Sequence, residues 1–544
     1  MALYPKISAV HEELADKDTM GSLKSNNVIA LVDETPIAHT IHSVLPKFGI
    51  GWVKISFLRK LNFLLLACML SSTTNGYDGS MLNGLQSMDT WKVYFHHPEG
   101  QHLGSLSNAM MFGSWPVYFI IPFVLDKFGR RKPIAFGASI VIAGSIVQAC
   151  SKNYGTFFAG RAVMGFGLGF CTAASPLLLS EVSYPEHRHI ATAMYNVVYG
   201  IGAIIAAWLT LGCSYISSSW SWRIPCLCQG AMSLIQLCMI YFVPESPRYL
   251  IARGQPEKAR AIFNKYHAGG VGDSPLIQFE MAEISATLEV EKESKQTSYK
   301  DFLKTKANRH RLLLLILVAF NTQLSGNNLV AYYFNLVLNS IGITQTQKQL
   351  YFNGGLQIYS LIVNGCFATV VEKLGRRKLF LTSLSGMLIS FIIWTILSAL
   401  GQKENPPFKT SAYASGVLAM IFIDSFFYGV AMQGLPYLYF TEIVPYYLRA
   451  KGLNIAYISM NVAIVFNGYV NPIAMDAIGW RYYIVWICLI ATWLILAYFL
   501  YPETKGHSLE TVGEVFGEPV VEVNEKGLEQ AYVNVGDSEK LHIN

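Results

Sequence analysis

Apolar blocks of about twenty residues recur along this chain, and that recurrence constrains its fold more than any other feature. Each block is long enough to cross a bilayer core of ~30 Å as a helix. The first begins near Leu61; further blocks cover about 107–125, 134–150, 156–180, 190–212 and 224–243. Six more follow at 311–339, 352–371, 379–400, 413–440, 452–475 and 482–501. Composition supports the same reading. Of 544 residues, 52% are apolar and 14% are charged, where a soluble globular protein carries roughly 25% charged residues. A disordered chain, a collagen-like chain and a disulfide-stapled secreted domain are excluded. The expected class is an all-α polytopic membrane protein with twelve transmembrane helices.

The blocks group as six, a polar stretch, and six. The expected divisions are a polar tail (1–53), a first six-helix half (54–243), a helical linker (244–310), a second half (311–501) and a polar tail (502–544). Lys and Arg test the orientation. Seven precede span one; Lys127, Arg130, Arg131 and Lys132 sit between spans two and three. Lys373, Arg376, Arg377 and Lys378 sit between spans eight and nine, and the central stretch is rich in both residues. Segment 83–106 has only Lys92, and 341–351 only Lys348. The positive-inside rule then places both termini and the linker in the cytosol.

Within the linker, Pro256-Glu257 opens like a helix, with proline in the first turn and an acid beside it. Ile277, Met281, Ile284 and Leu288 form one apolar stripe, so a short amphipathic helix is expected to pack under the bundle. The Lys/Glu run around 289–300 reads as a solvated face. The net charge of +6 is modest and no basic patch is interleaved with aromatics, which excludes nucleic acid as a partner. Nine cysteines lie mostly inside apolar blocks, and Cys226-x-Cys228 lacks further ligands, so they read as small buried hydrophobes rather than metal ligands.

The halves echo each other. Asp126-Lys-Phe-Gly-Arg-Arg-Lys132 returns as Glu372-Lys-Leu-Gly-Arg-Arg-Lys378; Ser180-Glu181 with Pro185 and Arg188 returns as Thr441-Glu442 with Pro445 and Arg449; Pro244-Glu245-Ser-Pro-Arg248 returns as Pro502-Glu503-Thr-Lys-Gly506. The offsets are 246, 261 and 258 residues. Three ordered echoes at nearly one offset imply a duplicated six-helix unit, the architecture of transporters with two rocking halves.

These paired motifs resemble those of the sugar porters of the major facilitator superfamily, and the likeness covers about residues 60–506. Gly76-Tyr77-Asp78-Gly79-Ser80, the Asn196 segment and Tyr469-Val470-Asn471-Pro472 are similar in particular to fungal lactose and cellodextrin permeases. The resemblance implies that Asp78 in span one carries a proton and pairs with Arg161 in span four. Elementary electrostatics agrees: a carboxylate beside an Arg stays ionised, and separating the two favours its protonated form. The competing reading is a static ion pair that fixes helix packing. Asp424 in span ten, placed toward the outer side, is either a residue lining a watery vestibule or a second proton site.

The same resemblance gives Gln323, Asn328 and Tyr332 of span seven sugar-contacting positions. Gln323 and Asn328 need the Gly326 region to bring them toward one cavity. Asn196 in span five stands where hexose carriers have Gln, and Tyr437 in span ten replaces a common Trp. Asn461 in span eleven joins the set. The departures imply a larger or altered pocket, although intramembrane amides also serve simply to bond neighbouring helices. The basic-face motifs (Arg130, Arg131, Glu181 and Glu245; Arg376, Arg377, Glu442, Arg449 and Glu503) are expected to form a cytosolic gate of salt bridges.

The function expected from these observations is proton-coupled symport of a sugar, a disaccharide or a hexose, across a plasma membrane by a carrier acting as a monomer. Alternatives on the same fold are a passive facilitator, a nutrient-sensing receptor and a carrier of a non-sugar metabolite. No nucleotide loop, nucleophile constellation or metal set points to an enzyme or a cofactor.

Overall fold

The fold follows from the need of every backbone amide in a bilayer to bond within its own segment. In the computed structural model, residues 45–46, 52–272, 274–294, 298–368, 374–505 and 515–516 are described. Most of the two expected tails, Glu372, Lys373 and much of the 289–300 charge run therefore lie outside the described residues. No strand occurs among those described.

Twelve helical spans are present among the described residues. The first half comprises Ser56–Ser87, Gly100–Phe128, Arg131–Ala149, Tyr154–Val182, Pro185–Cys213 and Trp220–Ile240. In the second half, span seven is divided into Lys306–Gln323 and Asn327–Ser340, and span ten into Ser411–Ala431 and Leu435–Ile443. Spans eight, nine, eleven and twelve are Thr346–Ala368, Arg376–Lys403, Tyr446–Ile478 and Tyr482–Leu500. Spans one and eight are the least apolar and fall outside the segments that hydropathy alone selects. Span one explains why: its Ser71–Thr74 run, Asp78, Asn83 and Gln86 are all buried in protein rather than turned to lipid. Membrane depth tolerates polar groups where other helices cover them.

Within the first half, spans one and five pack closely; a Cβ at Gly76 would run into the Tyr199 carbonyl oxygen, and one at Gly202 into that of Thr73. Small residues let such backbones approach. Large exposed apolar side chains, such as Phe63, Phe119, Phe123 and Phe499, mark the outer surface. Cys150, Cys238, Cys366 and Cys488 are exposed as well, which corrects their reading as buried hydrophobes; Cys68, Cys171, Cys213 and Cys226 are buried. A thiol suits an apolar surface as well as an apolar core.

Besides the short Asp301–Lys304, the linker forms the helices Pro247–Ala252, Pro256–Tyr266 and Pro275–Ser294. On the last, Ile277 is buried and Met281, Ile284 and Leu288 are half-buried, while Ala282, Glu283, Ser285 and Ala286 are exposed. The stripe expected from the sequence thus faces protein. His267 ties the linker to the bundle: its Nδ1 meets Glu280 Oε2 at 2.8 Å and its Nε2 meets the Val182 carbonyl at 3.2 Å. Tyr184 stacks edge-on against His267, and burial pushes its phenol up to about 12, with Glu186 and Glu280 adding to the effect.

Call the end bearing the Gly-Arg-Arg loops and the linker the basic end, and the opposite one the far end. Polar contacts between the halves crowd toward the far end. Gln86 Nε2 donates to the Tyr332 carbonyl at 3.1 Å, Asn335 Nδ2 to the Gln86 carbonyl at 3.2 Å, and Thr346 Oγ1 to the Ser87 carbonyl at 3.0 Å. Asn108 Nδ2 donates to the Val465 carbonyl at 3.1 Å, and the Tyr215 and Tyr351 hydroxyls meet at 3.2 Å. The two halves are therefore latched together at the far end.

Candidate functional site

The first half holds an ion pair at its centre. Arg161 Nη1 and Nη2 donate to Asp78 Oδ1 and Oδ2 at 3.0 and 2.9 Å, a two-pronged contact. Arg161 Nε donates to the Leu106 carbonyl at 2.9 Å, and Gln229 Nε2 donates to Asp78 Oδ1 at 2.9 Å. Spans one, four and six thus meet at one carboxylate, and span two holds its arginine. Asp78 is 7% exposed and Arg161 1% exposed, so water contributes little and the bonded protein groups must hold both charges. The planar fork of Arg matches a carboxylate geometrically, which a Lys would not do. Gln229 is a member that sequence reasoning missed. Its signal was an amide within the apolar block of span six, but nothing in the sequence points that amide at a residue 151 positions away.

The centre of the second half is built differently. Span seven stops at Gln323, and Gly326 restarts it with φ 89°, the left-handed region that favours glycine. A Cβ there would also strike the Phe391 ring. The break leaves carbonyls that no helix satisfies, and side chains serve them. Asn328 Nδ2 reaches the Gln323 carbonyl at 3.2 Å and Gln323 Oε1 at 3.0 Å. Asn467 Nδ2 donates to the same carbonyl, and Trp493 Nε1 to that of Leu324 at 3.0 Å. Gln323 and Asn328 therefore meet, as the sequence required of the Gly326 region. Asn467 was not foreseen.

Span ten, expected to be continuous over 413–440, is interrupted between Ala431 and Leu435. The interruption orients Tyr437, which is 41% exposed and sits beside Tyr457, also exposed, with ring centres 6.1 Å apart. Tyr437 and Tyr332 lie within electrostatic reach of each other and of Tyr199. Tyr332 also lies within electrostatic reach of Asp78 and Arg161 in the other half. Tyr118 of span two reaches toward Asn461. Asn461 itself donates from Nδ2 to the Tyr457 carbonyl at 2.8 Å, one turn back on its own helix. Asn196 stands exposed on span five, one residue after Tyr195, whose hydroxyl meets Ser71 Oγ at 3.2 Å. Tyr118, Tyr199, Tyr428 and Tyr457 were not singled out in the sequence, because aromatic residues are common at membrane depth. Asp424 does not line a watery vestibule: it is completely buried.

At the basic end the three sequence echoes assemble into two matching clusters. Arg130 Nη2 donates to Glu181 Oε1 at 3.0 Å, with Nε and Oε2 of the ion pair 2.9 Å apart; Arg376 Nη2 and Nε donate to Glu442 Oε1 at 2.8 and 3.2 Å. Glu245 Oε1 accepts from the Arg130 amide at 3.0 Å, and Glu503 Oε1 from the Arg376 amide at 2.7 Å. The Arg131 and Arg377 amides donate to the same two carboxylates. Each carboxylate thus caps the first amides of a span, where a helix favours negative charge. The spacing of the motif has a steric reason too: a Cβ on Gly129 or Gly375 would collide with Glu245 or Glu503. Every one of these bonds stays within one half. Arg449 is also engaged.

Comparison with known proteins agrees with this architecture. The chain belongs to the sugar transporter family: residues 63–516 match the model described as "Sugar (and other) transporter", and it is a major facilitator sugar porter, not an enzyme. An Aspergillus oryzae MFS-type transporter, oryC, is 29% identical over 481 residues, covering 87% of each chain. The sugar transporter STL1 of Saccharomyces cerevisiae is 29% identical over 474 residues, covering 84% of this chain and 81% of its own. Among solved structures, the inward-open xylose transporter XylE of E. coli superposes with a TM-score of 0.69 at 19% identity, covering 84% of this chain and 99% of its own.

Proposed function

We propose that this protein is a proton-coupled sugar symporter of a plasma membrane, moving sugar inward by alternating access. The basic end faces the cytosol on this reading, since Lys and Arg concentrate there. The conformation described, latched at the far end, then corresponds to the inward-facing state. The observation that carries the proposal is the Asp78–Arg161–Gln229 cluster. A carboxylate bonded by a guanidinium and an amide is unprotonated; a proton carrier facing the cytosol has delivered its cargo. Rocking of the halves that drew Arg161 or Gln229 away would favour proton uptake from outside.

The printed relatives support this reading. One of the XylE structures is described as a proton:xylose symporter bound to 6-bromo-6-deoxy-D-glucose, and HXT1 of Saccharomyces cerevisiae is a low-affinity glucose transporter. In this chain the paired amides of Gln323 and Asn328 offer donors and acceptors to hydroxyls, and the exposed Tyr437–Tyr457 rings offer faces to C–H surfaces. Tyr437, Tyr457 and Tyr118 extend the lining beyond one hexose ring, which favours a β-linked disaccharide of the lactose or cellobiose kind. Asn196 and Asn461 complete that lining. The basic-end clusters act as the gate: in the outward-facing state the charged groups of the two halves meet.

A neutral sugar gains nothing from membrane potential, whereas a proton gains ~2.3 kcal/mol per 100 mV and ~1.4 kcal/mol per pH unit. Together they support accumulation of about several hundred-fold at one proton per sugar. The deciding experiment is uptake of labelled glucose, lactose and cellobiose in a transporter-deleted yeast, with and without a protonophore. Accumulation that collapses with the protonophore is expected; accumulation indifferent to it would leave a facilitator, and no uptake of any of the three would point to another metabolite.

A further inference from the structure

One acid in the membrane has no role in the scheme above. Asp424 lies within the first segment of span ten, Ser411–Ala431, and is 0% exposed. Neither Oδ1 nor Oδ2 has a hydrogen-bond partner, and neither is reachable by water. It contrasts with Asp78, which accepts three side-chain hydrogen bonds in the same conformation.

Among the described residues, the surroundings supply no compensating charge. Span ten packs on spans nine and eight and on the second segment of span seven. The buried polar groups of span nine are Ser383, Ser390, Thr395 and Ser398. Its cations stand at its ends, Arg376, Arg377 and Lys378 at one and Lys403 at the other. Ser383 bonds the Phe427 carbonyl, and Gly416 sits against Leu397, so Asp424 is level with the middle of span nine. At 1.5 Å rise per residue the nearest of those cations, Lys378, is about 15 Å away along the helix axis. Span eight brings Tyr359 against Phe422, with Cys366 further along and Lys348 near the far end. Span seven brings Tyr332 and Tyr333, and one turn along span ten Tyr428 donates to the Thr322 carbonyl. A carboxylate in such a site would be an unpaired charge out of water, which is far more costly than a neutral acid. Even the neutral acid leaves polar atoms unsatisfied, so this conformation gives no reason for having Asp rather than an apolar residue here.

We propose that Asp424 is a second proton-binding site, occupied in the conformation described here while Asp78 is empty, and that it exchanges its proton when rearrangement of the broken span ten exposes it. The two halves then hold one titrating acid each, in opposite protonation states. This inference stands on burial and bonding alone and does not require that sugar be the substrate.

The test is infrared difference spectroscopy of the full-length protein reconstituted in vesicles, titrated with pH in H2O and D2O without any sugar. The expected result is a protonated-carboxyl C=O band near neutral pH that shifts in D2O, bleaches at higher pH, and is lost in Asp424→Asn but retained in Asp78→Asn. If Asp424→Asn fails to fold, Asp424→Glu should move the band. Absence of the band, its survival in folded Asp424→Asn, or a band that neither exchanges in D2O nor titrates would overturn the proposal; in the last case Asp424 is a static neutral acid. Loss of proton-driven sugar uptake with the band intact would sink the symport reading alone.

Discussion

The two halves of this molecule differ at the centre and agree at the basic end. In the first half, Asp78, Arg161 and Gln229 lie on unbroken spans, and both partners donate to the Asp78 carboxylate. In the second half, spans seven and ten are interrupted, and amides and tyrosines gather at the breaks. Yet Glu245 and Glu503 cap spans three and nine in the same way. A duplicated unit has kept the device that organises its basic end. Its centres have diverged, one toward charge and the other toward hydrogen bonds and aromatic faces. Division of labour is the reading this contrast favours: the hydrogen-bonded proton site in the first half, and the paired amides that recognise substrate in the second.

The sharpest way to break that division is Asp78→Asn. Uphill accumulation should fall from about several hundred-fold to about one, while counterflow exchange persists, measured with labelled sugar in vesicles. Accumulation that survives would remove coupling from the first half. Next in size come Gln323→Ala and Asn328→Ala. Each should raise the half-saturating sugar concentration by roughly 5- to 150-fold, the equivalent of about 1–3 kcal/mol for a lost buried hydrogen-bonding group, and leave the accumulation limit unchanged. A change in that limit instead would mean that both halves couple.

Gly326→Ala probes the break itself. The left-handed φ and the Phe391 ring both oppose a Cβ, so a loss of about 1–3 kcal/mol is expected, read as a lower Tm of the purified protein. The smallest effects sharpen the symmetry. Glu245→Gln and Glu503→Gln should each cost about 1 kcal/mol by weakening a helix-terminal anion contact, with similar Tm shifts; strongly unequal shifts would show that the two caps no longer serve alike. Arg376→Ala should change transport kinetics and the conformational equilibrium, and if both stay unchanged the gating role is lost.

Much of the fold was legible before the structure. Apolar blocks of membrane length and three echoes at one offset dictated two six-helix halves, since a bilayer permits few alternatives. Asp78 and Arg161 were legible for the same reason: charges at membrane depth are rare and costly. Gln229 and Asn467 were not, because an amide within a span looks alike whether it bonds a carboxylate, a broken helix end or a neighbouring helix. The interruption of span ten escaped notice because Gln433-Gly434 is a short dip inside a segment, Ala412–Ile443, that is apolar enough overall to cross as one helix.

Sequence alone thus determined the number of spans, their duplication and the identity of the charged residues, all properties of local chain chemistry in an apolar solvent. Tertiary structure alone decided which of those charges is satisfied. Asp78 and Asp424 are the same side chain at membrane depth; one meets a guanidinium and an amide from distant spans, and the other meets no hydrogen-bond partner. Bonding across spans depends on how helices are brought together in space, and no local pattern records it.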